Sequence, residues 1–150
     1  MGDQERAAQS AQRAIADAAR CGDDAIMGKA HYVLAREGYW SGQYLHRLEH
    51  GQQAVSLLEG TTERWWLGQS NWAVGINYFF MGELPQALAA AARTQAIGES
   101  LGDPRLQSYA AWTMGMIEAT RGEWQVGIEV CQRSLERAPD PLNTGVTVGS

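Results

Sequence analysis

The chain has 150 residues, 45% of them hydrophobic, enough for one domain with a real core and too apolar for a disordered polymer. Its net charge is −5 and its Lys and Arg form no cluster, so a phosphate backbone would meet no concentrated positive charge and nucleic acid is not an expected partner. No apolar run nears the roughly 20 residues of a membrane helix, and the polar start, MGDQERAAQS, lacks a signal peptide's apolar centre.

Residues 4–20 are rich in Ala, Gln and Arg and predict a helix with a weak apolar face of Ala8, Ala11, Ile15 and Ala18. Cys21-Gly22-Asp23-Asp24 stops it and caps the next, over 25–40, whose inner face holds Met27, Ala30, Val33 and Leu34. Past Gly42 a third helix carries Tyr44, Leu48, Val55 and Leu58, and Gly60-Thr61-Thr62-Glu63 ends it. Residues 63–81 form the longest apolar helix. Pro85, in a first helical turn, starts the next one, which runs to about Ser100. Leu101-Gly102-Asp103-Pro104 is the sharpest punctuation: stop, cap and first turn in succession. Residues 104–121 and 124–138 complete the series before Pro139.

The turns repeat. Ser41-Gly42-Gln43-Tyr44, Met81-Gly82-Glu83-Leu84 and Arg121-Gly122-Glu123-Trp124 stand 40 residues apart, and a fixed period of this size marks a repeat protein. The units run from about 24 to 61, 62 to 101 and 102 to 140. An orphan helix over 4–21 precedes them and an irregular tail, 141–150, follows. The phase at both ends suggests a segment of a longer array.

Val74-Gly75, Tyr78, Gly82 and Ala87 in the middle unit resemble the tetratricopeptide repeat family. So do Gly115, Gly122, Trp124, Leu135 and Pro139 in the last, and Leu34-Ala35, Gly42, Tyr44 and Ala54 in the first. The family's usual period is 34. The longer one here is similar to repeats of kinesin light chains and of bacterial signalling ATPases and transcription regulators. The resemblance implies an all-α, right-handed α-solenoid of antiparallel helix pairs, about seven helices in all. The first helix of each pair would line the concave side.

On those first helices one face carries Tyr32, Arg36 and Tyr39, then Trp72, Ile76 and Phe79, then Tyr109, Trp112 and Met116. Aromatic residues with Met and Arg suit a protein-binding groove. Rings wedged between neighbouring first helices as plain core fit the same pattern. The main expectation is a scaffold that binds a hydrophobic or helical protein segment, with these nine residues as its contacts. Self-association through this face, or through Val126 and Val130 at an uncapped C-terminal end, is the alternative. A sensor segment of a larger signalling ATPase or regulator is a further one.

No catalytic set is evident: Ser-His-Asp spacing and Gly-rich phosphate loops are missing, so no enzyme and no cofactor is expected. His46 and His50 lie one turn apart with no third ligand evident, and a metal is not expected. Glu59, Glu63, Glu99 and Asp103 fall at turns and read as helix caps. Cys21 and Cys131, far apart and without a CxxC partner, read as free thiols in a reducing compartment, and cytoplasm is the expected location.

Overall fold

The structure, a computed structural model, describes residues 3–36 and 42–137. Tyr39 and the tail from residue 138 lie outside the described residues. Every described element is an α-helix: α1 (Asp3–Cys21), α2 (Asp24–Arg36), α3 (Tyr44–Glu59), α4 (Arg64–Phe80), α5 (Leu84–Leu101), α6 (Pro104–Thr120) and α7 (Trp124–Arg137). None of them is long and apolar enough to cross a membrane.

Local chemistry sets the boundaries. Gly22, Gly42, Gly82, Gly102 and Gly122 all have φ between 62° and 87°, the left-handed conformation that side chains resist. They recur every 20 residues, one per helix, with a single gap at position 62. There Thr61 builds the turn instead: its hydroxyl donates to the Leu58 carbonyl at 2.9 Å and accepts from the Glu63 N–H at 3.2 Å.

Asp23 and Asp103 accept from the N–H groups of Ile26 and Leu106, at 2.9 and 2.8 Å, closing the first turns of α2 and α6. The glutamates do not cap as expected. Glu63 precedes α4 without a side-chain cap and instead pairs with Lys29 at 2.7 Å. Glu99 accepts from Gln95 at 2.7 Å. Glu99 lies in the last turn of α5, where the N–H groups are already bonded, so it has no helix start to cap.

Each helix packs on the next, and α2 also touches α4 as α4 touches α6. Among the described residues α3, α5 and α7 do not touch one another. The chain is therefore an all-α solenoid with an inner row, α2–α4–α6, and an outer row spread more widely. The inner helix α4 is closed on all sides: every residue from Leu67 to Asn77 is buried. Several of its polar side chains bond within the stack, though the buried Asn77 Oδ1 finds no hydrogen-bond partner among the described residues. Gln69 accepts from the Tyr32 hydroxyl at 2.8 Å, and the Asn77 amide donates to the Ala73 and Ala35 carbonyls at 2.8 and 3.4 Å.

Helix pairs close where side chains are smallest. Gly115 on α6 faces Gly127 on α7, and a Cβ on Gly127 would sit 2.8 Å from the Gly115 carbonyl oxygen. One repeat earlier Gly75 meets Ala87 and Ala90 in the same way.

Candidate functional site

The aromatic column divides by position in the stack. Tyr32 on α2 is buried and donates to Gln69 of α4. Its ring meets Trp66 edge-on at 5.5 Å, and Lys29 lies 5.8 Å over Trp66. Burial pushes the Tyr32 phenol up, with Arg36 opposing, so it stays a donor. Trp72 on α4 is 8% exposed. Tyr109 of α6 stacks on it at 4.5 Å with rings 17° from parallel, and Trp112 lies 6.3 Å away. Ile76 is 1% exposed and offers no surface to a partner. The covering residue comes from the next inner helix, 37 positions on: Gln69 for Tyr32, Tyr109 for Trp72.

For the last described repeat no such covering residue lies among the described residues. Trp112 takes the place of Tyr32 and Trp72 but is only half-buried, as are Tyr109 and Met116 beside it. Phe79 and Phe80 are half-buried at the end of α4, and Phe80 stacks on Tyr44 at 5.1 Å. Arg36 is exposed at the end of α2.

Helix α7 repeats the pattern. Its Trp124 and Ile128 correspond to Tyr44 and Leu48 of α3. Leu48 shares a core cluster with Val74 of the following inner helix and is 6% exposed. Trp124 and Ile128 are 65% and 51% exposed. Together with Trp112, Tyr109 and Met116 they form the apolar end of the described stack. The sequence reading missed Trp124 and Ile128 as surface residues, although a shift of Tyr44 and Leu48 by two periods points to them.

Of the two valines expected on that end face, Val126 is 42% exposed and Val130 is half-buried. Val130 lines a cleft of about 230 Å³ between α5 and α7 with Gln95, Ala111 and Arg133, so it faces the preceding repeat. Val126 sits one turn earlier on the same side, about 160° around the helix from Ile128. The counterpart of Val130 on α3 is His50, which faces α2, the inner helix of its own pair, as Val130 shares its cleft with Ala111 of α6. A second cleft, about 320 Å³, opens one repeat earlier between α3 and α5, with Val74 and Tyr78 on its floor and Arg93 on its wall.

Two long-range contacts were not visible in the sequence. Trp65 at the start of α4 donates through Nε1 to Asp103 at 3.0 Å, tying the cap of α6 to α4. His31 of α2 meets His50 of α3, Nδ1 to Nδ1, at 2.9 Å. Cys21 is exposed, while Cys131 is half-buried against Gly115 and its thiol is pushed up by burial, away from nucleophilic chemistry. No family model matches the chain, and neither does any curated protein.

Proposed function

We propose that the chain is a repeat scaffold of the tetratricopeptide type that binds a helical segment of another protein at the α6–α7 end of the stack. One observation carries this reading: apolar positions buried by the next repeat in the earlier units are exposed in the last described one, as Leu48 at 6% and Ile128 at 51% illustrate. Exposed apolar side chains gathered at one end of a stack mark interaction sites. The fitting occupant is an amphipathic helix lying antiparallel to α7, as α4 lies against α3. It would set an aromatic residue on Trp124 as Phe80 sits on Tyr44, and an aliphatic one over Ile128. The buried members of the column, Tyr32, Trp72 and Ile76, then hold the repeats together, and Trp112, Tyr109 and Met116 make contact.

Head-to-tail stacking of a second copy, its α1 on this end, fits less well. The exposed face of its α1 is Arg6, Gln9, Arg13, Asp17 and Arg20, with no apolar stripe to offer.

The test is site-specific photo-crosslinking in cells, with the probe at position 112 or 128 and a control at Gln53, exposed on α3. Capture of one protein segment at 112 and 128 but not at 53 supports the reading. Equal capture at 53, or self-crosslinked dimers only, overturns it.

A further inference from the structure

The chain has 3 histidines, and all lie in one row across α2 and α3. The rings of His31 and His50 are 5.0 Å apart, with their Nδ1 atoms 2.9 Å apart. His46, one turn before His50, meets it edge-on at 4.8 Å. At 2.9 Å one Nδ1 must carry a proton and donate it, and the other must be a bare acceptor.

Among the described residues no carboxylate is bonded to either ring of the pair. Glu49 on α3 lies 3.6 Å from His46, on the exposed side. Burial lowers the pKa of His31. Burial lowers that of His50 too, reinforced by the charges of His31 and His46 and opposed by Glu49. No charged group of α1 or α4 enters among these causes.

The protons can be followed one at a time. In the neutral pair the donor ring keeps a free Nε2. The first added proton goes there, and the hydrogen bond survives with a positive charge behind it. The second can go only to the accepting Nδ1. It removes the acceptor and leaves two N–H groups and two cations face to face, so the rings must part.

We propose that the His31–His50 contact is a proton-operated latch that closes the first helix pair at neutral pH and releases it under mildly acid conditions. Release stays local because a solenoid is held by nearest-neighbour terms, and the later pairs contain no histidine. The sign follows from linkage: the unfolded rings take up protons near pH 6.5, the half-buried folded rings only at lower pH. The stabilisation is therefore whole above about pH 6.5 and is lost as pH falls through the lowered folded values.

A metal ion fits less well. Among the described residues no group of three or more His, Cys, Asp or Glu is arranged to hold one. Two nitrogens bonded tetrahedrally to one zinc ion keep about 3.3 Å between them, more than the pair allows. The latch does not depend on the partner-binding reading, since it lies at the other end of the stack.

The experiment is hydrogen–deuterium exchange on the full chain at about pH 8 and about pH 5, corrected for intrinsic rates, with His31→Gln and His50→Gln alongside. Protection in α2 and α3 should fall about tenfold or more at acid pH in the unaltered chain. That fall should largely vanish in both variants, and α5 and α6 should not change. The same loss in the variants overturns the latch, and so does a loss spread evenly over α4 to α7. Zinc chloride that protects α2–α3 at neutral pH only when both histidines are present would make the pair a metal site and overturn it as well. If a variant fails to fold, nitrogen NMR of the unaltered chain decides. Coupled titration of the two Nδ1 atoms supports the latch, and independent titration near pH 6.5 defeats it.

Discussion

Single atoms decide whether the helices of this stack can close. A methyl group at Gly127 would meet the backbone oxygen of Gly115 at 2.8 Å, and a carbonyl in a helix cannot swing aside. Gly127→Ala is expected to destabilise by about 1–3 kcal/mol despite a gain of about 1 kcal/mol in helix propensity, measured by urea denaturation. Tyr32 is the polar counterpart. Burial keeps its phenol protonated and donating to Gln69. Tyr32→Phe leaves a buried amide oxygen without that donor, and a loss of about 1–3 kcal/mol should appear in the same assay. Hydrogen bonds like this one could not be foreseen, because Tyr32 and Gln69 belong to different repeats and nothing in either segment names the other.

Equivalent elements in successive repeats do different work. Trp72 and Trp112 occupy the same place on α4 and α6, yet Trp72 is capped by Tyr109 and no described residue covers Trp112 in that way. Trp72→Ala should cost about 3–5 kcal/mol of stability, as for a buried ring. Trp112→Ala should lower stability far less and remove crosslinking at the neighbouring position 116. Comparable melting temperatures for the two variants would show that the column is one uniform core. At the start of α6, Asp103 caps the helix and receives the Trp65 indole, so it joins two repeats. Asp103→Ala should cost about 1–2 kcal/mol, and Asp103→Asn less, since its one amide oxygen can still accept from the Leu106 N–H while the Trp65 bond is lost.

For the whole molecule the nearest-neighbour contacts predict a graded stability. Helix α4 is buried over Leu67–Asn77, whereas among the described residues α1 packs only on α2 and α7 only on α6. Amide exchange at neutral pH should be slowest in α4 and fastest in α1 and α7, and uniform protection would contradict the solenoid reading of its energetics.

The amino-acid sequence by itself determined what short-range chemistry controls. The helix boundaries, the glycine turns and the period of 40 follow from caps, breakers and local periodicity, and the all-α stack follows from them. Glu63 marks the edge of that power: its position at the turn was legible, but not its choice of Lys29 over a capping role. The tertiary structure alone decided which members of one aromatic column are core and which are surface. A ring's burial depends on the residue 37 positions away that lies over it, as Tyr109 does over Trp72. It also decided that His50 looks back at His31 and Val130 at Ala111, while Trp124 and Ile128 look outward. A helix's faces are distinct in sequence, but which neighbour each face meets is fixed only when the helices pack.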